Sequence, residues 1–139
     1  MADHEHEIVG LGARVHVFVQ PDARQRFCWL FEEVLGCSVI ERDFGLEHPI
    51  VLVRFADGSA FSAEFTELAP ADVPSHELDD EHAFRGAWIE FRTRSVAECQ
   101  ERLRKAGVPE FQHRGSQHSY FSAPGGQVFR LLDVGYTGP

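Results

Sequence analysis

Apolar positions along the chain follow a period of two and then a period near 3.6, and the succession occurs twice. Over residues 14–20, Val15, Val17 and Val19 share one face, and Arg14, His16, Phe18 and Gln20 share the other. This predicts a half-buried strand with an apolar face toward a helix. The other face is too polar for a dry core and too aromatic for plain surface, which suits a cavity wall. A helix is expected over Asp22–Leu35. Asp22 is a candidate N-cap with Gln25 three residues on, Phe27, Leu30, Phe31, Val34 and Leu35 form the stripe, and Gly36 stops it. Strands follow over Ser38–Asp43, Ile50–Phe55 and Ser59–Thr66, the last two joined by the turn Ala56-Asp57-Gly58. Across the third of these, Phe61, Ala63 and Phe65 share a face, and Ser62, Glu64 and Thr66 take the other.

The second half repeats this order. Ala87–Thr93 alternates, with Ile89 and Phe91 on one face and Trp88, Glu90 and Arg92 on the other. Ser95 and Glu98 form a capping box that opens a helix over Ser95–Ala106, with Val96, Cys99, Leu103 and Ala106 as its buried stripe. Gly107 and Pro109 end it. Strands are expected over Glu110–Arg114, His118–Ser122 and Gln127–Asp133, with Ala123-Pro124-Gly125-Gly126 as the last turn. Aligning the halves puts Val15 on Ala87, His16 on Trp88, Phe27 on Cys99 and Phe31 on Leu103. A repeat this long is a supersecondary unit used twice. The expected fold class is α+β, two βαβββ modules pairing around a central cleft. The first module spans 13–68, a polar acidic linker with Pro70 and Pro74 spans 69–85, and the second module spans 86–134.

Charge narrows the partners. The formal net charge is -9 over 139 residues, which repels phosphate backbones and anionic lipid, so neither nucleic acid nor membrane is expected as a partner. No apolar run approaches a membrane span, and residues 1–10 lack the basic and apolar regions of a signal peptide, which predicts a cytoplasmic protein. Cys28, Cys37 and Cys99 have no C-x-x-C spacing and read as reduced core residues. His4 and His6 read as solvated surface, and His48, His113 and His118 as surface or loop.

The motifs V-H-V-F-V before the first helix, W-L-F-E-E-V-L-G closing it, E-R-L-R-K-A-G-V closing the second and F-S-A-P-G-G-Q-V-F-R-L-L near the end, twice in this order, resemble the vicinal oxygen chelate superfamily. That superfamily includes glyoxalase I, extradiol dioxygenases, and bleomycin- and fosfomycin-resistance proteins. The resemblance covers about residues 13–134. It implies a small-molecule ligand and a homodimer, because such proteins commonly complete their clefts by pairing modules between chains. Metal-dependent members hold a divalent ion with side chains from the first and last strands of each module, positions that here are His16, Glu64, Trp88 and Arg130. The resemblance therefore gives two good ligands, one indole that only donates and one guanidinium with no lone pair to offer. This predicts a metal-free member with no cofactor, and His16 and Glu64 as remnants of a metal site.

The ligand-binding candidates are His16, Phe18, Glu64, Trp88, Glu90, Tyr120 and Arg130, with Phe44 as a further wall. His16 and Glu64 are the candidates for catalysis. Arg130 is expected to reach the cleft where Glu64 also points and to pair with it, with His16 as a third member. Trp88 offers a stacking plate for an aromatic ligand, and Arg130 an anchor for a carboxylate or phosphate. Three functions compete. A protein that binds an aromatic or cationic drug fits the cleft aromatics and the acidic charge, while Arg130 fits a cation less well. A lyase, isomerase or dioxygenase on a small oxygenated substrate, with a divalent metal at His16 and Glu64, fits those two residues. An interaction module would leave the cleft vestigial.

Overall fold

A computed structural model describes residues 9, 11–71, 86–108, 110–112 and 116–138. The first module runs β1 (His16–Val19), a helical segment, β2 (Ser38–Arg42), β3 (Ile50–Arg54) and β4 (Ala60–Phe65). The second runs β5 (Trp88–Thr93), α2 (Val96–Lys105), β6 (Glu110–Phe111), β7 (Ser119–Ser122) and β8 (Val128–Asp133). Each module is a four-stranded mixed sheet, ordered β1-β4-β3-β2 and β5-β8-β7-β6. In each, the first strand pairs in parallel with the last, and the remaining pairs are antiparallel. This is the expected pair of βαβββ modules. The expected linker falls largely on 72–85, outside the described residues, as do His4, His6 and His113.

The first helical segment differs in detail from the expected helix. It opens as a 3-10 turn at Pro21–Ala23, continues as α1 (Arg24–Trp29) and widens into a π-helical turn at Leu30–Val34. Asp22 is not the N-cap. Gln20 occupies that position without a side-chain cap bond, and Pro21, whose fixed φ suits a first helical position, starts the turn. The wide turn closes with Leu35 N–H donating to Leu30 O at 2.9 Å, and Gly36 leaves the helix at φ 72°. At α2, Ser95 Oγ accepts from Glu98 N–H at 3.1 Å, as the capping box requires. The reciprocal half is supplied differently, by Thr93 Oγ1, which accepts from Ser95 N–H at 3.2 Å.

Phe27, Leu30 and Phe31 are fully buried, and Val34 and Leu35 pack partly buried beside them. On α2 only Leu103 is fully buried. The two modules share one core. Phe61 lies 5.7 Å from Phe129 and 6.0 Å from Phe91, Phe55 lies 5.0 Å from Phe91, and Phe31 lies 5.6 Å from Phe129. Strands in one sheet are spaced ~4.8 Å apart, so side chains from β4 and β8 could not meet this way along a single continuous sheet with strands between them. The apolar faces of the two sheets therefore pack against each other. Val19 and Gly125 make a further contact between modules. Gly125 has φ 97°, and a Cβ there would lie 2.5 Å from Val19 Cγ1.

Alternation along each strand then sets where everything else points. If Phe61, Ala63 and Phe65 face the shared core, Ser62 and Glu64 face away from it. If Phe91 and Phe129 face the core, Trp88, Glu90 and Arg130 face away on the far side. Among the described residues no helix is long and apolar enough to cross a membrane.

Candidate functional site

The outer face of the first sheet carries a hydrogen-bonded chain. Parallel pairing of β1 with β4 sets His16 opposite Ser62 and Phe18 opposite Glu64. His16 Nδ1 lies 2.6 Å from Ser62 Oγ, and His16 Nε2 lies 3.0 Å from Glu64 Oε1. An ionised carboxylate only accepts, so Nε2 carries the proton toward Glu64. The His16 and Glu64 side chains are 35% and 30% exposed, and the Phe18 ring, its edge-on centroid 5.1 Å from that of His16, is 54% exposed.

The outer face of the second sheet carries a different cluster. Parallel pairing of β5 with β8 sets Glu90 opposite Arg130, and antiparallel pairing of β7 with β8 sets Tyr120 opposite Arg130. Arg130 donates to Glu90 Oε2 at 2.5 Å, and its guanidinium lies 4.0 Å from the centroid of the Trp88 ring. Burial acts to lower the Arg130 pKa, but hydrogen bonds to Glu90 and Tyr120 and the Glu90 charge outweigh it, so the shift is upward and the cation is held. Tyr120 is buried, with its ring 6.2 Å from Trp88 and 5.9 Å from Phe111 and its hydroxyl 3.0 Å from Ser116 Oγ. Trp88 itself is 43% exposed.

The expected Glu64–Arg130 pair is therefore corrected. Each residue has its partner in its own module: Glu64 with His16, and Arg130 with Glu90. The reason is register. A directly opposed carboxylate on the neighbouring strand needs no chain folding to reach the guanidinium, whereas Glu64 lies on the other side of the shared aromatic core. Phe44 is 67% exposed in the loop after β2 and joins neither cluster. His48 lies 3.9 Å from Glu47, and His118 stacks edge-on with Tyr136 at 5.1 Å.

Two features escaped the reading of the sequence. Ser62 completes the His16 hydrogen bonds, and the S-x-E spacing on β4 opposite a strand histidine was its signal. A cavity of about 600 Å³ between α2, β6 and the end of β8 is lined by Gln100, Phe111, His118, Asp133 and Tyr136, with no local motif to announce it.

All three cysteines are free thiols whose pKa burial raises; for Cys37, partly buried and close to Cys99, the value is pushed up to about 11. All three pack partly buried against the core.

The fold has known counterparts. An antibiotic-binding protein from Streptomyces sp. CB03234 superposes with a TM-score of 0.63 at 16% identity, over 92% of this chain and 98% of that one. The trypanothione-dependent glyoxalase I of Leishmania major gives 0.63 at 15% identity, over 87% and 84%. The fosfomycin resistance protein FosX of Listeria monocytogenes gives 0.60 at 15% identity, over 89% and 90%. The chain has the vicinal oxygen chelate fold. No family model matches its sequence, and no curated protein does. Within the vicinal oxygen chelate fold, His16, Glu64, Trp88 and Arg130 are the four positions the resemblance compares with metal ligands, two on each outer face. The donor set does not fit a divalent ion. Both nitrogens of His16 are engaged, Trp88 has no lone pair on its N–H, and Arg130 brings a fixed positive charge. Among the described residues, no three His, Cys, Asp or Glu side chains converge.

Proposed function

We propose that this protein binds a small aromatic anion without a metal ion, in a cavity that two copies of the chain build together. The observation that carries this reading is the Arg130 guanidinium, gripped at its edge by Glu90 and laid against Trp88. A planar ring can stack on the exposed part of Trp88, and a carboxylate can meet the part of the Arg130 guanidinium that remains accessible, the side chain being 17% exposed. The outward direction of both polar faces supports a homodimer. The His16 face of one copy and the Trp88 face of another can close over one ligand, giving two equivalent cavities per dimer. Exposed Phe18 and Trp88 would then become walls. Sequestration of an antibiotic, as the name of the Streptomyces protein states for that protein, is one form this binding takes.

The test is a thermal-shift and calorimetric screen of aromatic carboxylates against matched aromatic amines, before and after exhaustive chelation. Saturable binding of the carboxylates, unchanged by chelation and lost in Arg130→Ala, is the expected result. Preference for the amines would overturn the anionic assignment, and dependence on added metal would overturn the metal-free one.

A second reading rests on His16 and Glu64, which stand 3.0 Å apart on neighbouring strands with imidazole and carboxylate donors. A lyase, isomerase or dioxygenase could use them as the protein ligands of a divalent ion. Two ligands from one module hold a catalytic ion poorly against water, since such sites generally have three. The metal-free reading is therefore preferred.

A further inference from the structure

We propose that Ser62, His16 and Glu64 form a nucleophile–base–carboxylate relay, and that Ser62 accepts an acyl or phosphoryl group from a small activated ester. The hydroxyl proton has two possible acceptors. His16 Nδ1 is 2.6 Å away and Val15 O is 3.4 Å away, beyond the usual range for an O–H donor, so the hydroxyl directs its proton at the ring nitrogen. With Nε2–H donated to Glu64, an imidazole carrying that one proton presents the Nδ1 lone pair to Ser62. This is the protonation pattern a serine requires to lose its proton as it attacks, with the base oriented by a third group.

The relay sits on a rigid platform. Ser62 N–H donates to Val15 O at 3.0 Å and Ser62 is paired on its other side with Leu52, so the nucleophile is on a central strand and not on a loop. Ser62, His16 and Glu64 are partly exposed on this face, and Phe18 offers an apolar plate beside them.

The chemistry balances without a co-reactant other than water. Ser62 Oγ bonds to the carbonyl carbon while its proton passes to His16 Nδ1. The bond from that carbon to the leaving oxygen breaks, and the leaving oxygen takes the proton from Nδ1. Glu64 stays ionised and faces the transient imidazolium through Nε2–H. Water then releases the acid by the same route. With a phosphotriester the first step leaves a stable phosphoserine diester. This proposal goes beyond ligand binding at Trp88 and Arg130 and does not rest on it.

The experiment treats the full chain with diethyl 4-nitrophenyl phosphate, following 4-nitrophenolate release, intact mass and the modified peptide. One diethylphosphoryl group per chain is expected, on Ser62, and none in Ser62→Ala. Labelling should fall by ~100-fold in His16→Ala, the scale of a lost general base. Should that variant fail to fold, His16→Gln keeps a polar side chain without an imidazole base and reads the same step. Glu64→Gln should slow labelling about tenfold while the melting temperature stays in place, which separates positioning from stability. No adduct, an adduct on lysine or tyrosine instead, or Ser62 labelling as fast in the His16 variants would overturn the proposal. Any of these leaves the carboxylate-binding result standing on its own.

Discussion

The Arg130 guanidinium carbon lies over the Trp88 ring, 4.0 Å from its centroid, while an Arg130 N–H donates to Glu90 at 2.5 Å. The two contacts constrain different directions, one along the ring normal and one in the guanidinium plane. Together they hold the cation in a fixed orientation on an otherwise open sheet face, and they do so from β5, the strand paired in parallel with that of Arg130. A cation fixed in this way would lose little freedom to the proposed anion, so the strength of that binding would be set by contact and not by ordering.

Replacing Trp88 with Ala should lower folding stability by ~0.5–1 kcal/mol from the lost cation–π contact, with a further loss from ring packing on Tyr120. Arg130→Lys keeps the charge but not the flat fork, so it should weaken carboxylate binding nearly as much as Arg130→Ala does. Chemical denaturation and calorimetry separate the two effects. Equal affinity in Arg130→Lys and the unaltered protein would remove the stacked geometry from the account.

The shared aromatic core should make the modules one cooperative unit. Phe61→Ala or Phe129→Ala removes a ring that touches both sheets and should cost ~3–5 kcal/mol, with a single unfolding transition still observed. Two separated transitions in the unaltered protein would mean that the modules fold independently.

Gly125→Ala should destabilise by ~1–3 kcal/mol. The new Cβ meets Val19 Cγ1 at 2.5 Å, and φ 97° is strained for any side chain. Val19→Ala in the same chain should recover part of the steric share but none of the backbone share. Full recovery in the double variant would locate the whole cost in the contact.

As isolated, the protein should carry no stoichiometric divalent ion at His16, Glu64, Trp88 and Arg130. Introducing Trp88→His together with Arg130→Glu supplies two further donors and removes the repelling charge, so the double variant should gain zinc affinity. Because the two faces look outward from one chain, that affinity should depend on the proposed dimer and rise with protein concentration. Elemental analysis finding about one equivalent of metal in the unaltered protein, lost on His16→Ala, would instead promote the enzymatic reading.

Alkaline pH should destabilise the protein through its thiols. Cys37 is raised from 9.0 to about 11 by burial, with a smaller contribution from Cys99. Below pH 9 both folded and unfolded chains keep the proton, so nothing is lost. Between 9 and 11 the unfolded chain releases its proton first, and stability should decline over that window. Cys37→Ala should flatten the decline. Slow modification of Cys37 by iodoacetamide at neutral pH checks the same shift independently.

Both modules were legible in the sequence because alternation and helical stripes are local properties. V-H-V-F-V and A-W-I-E-F carry their own inside and outside, and Ser95 with Glu98 marks a helix start wherever the helix goes. The same alternation placed His16 with Glu64 and Trp88 with Arg130 on polar faces. It could not say which carboxylate each basic group would meet, because that depends on strand register, and register put Glu90 opposite Arg130 and Ser62 beside His16. Nor could it say which way the polar faces look. That was decided by Phe31, Phe55 and Phe61 packing on Phe91 and Phe129 across the modules, since contact between these rings removes apolar surface of both modules from water. Local pattern determined the elements and their faces; long-range burial decided that the two faces turn apart.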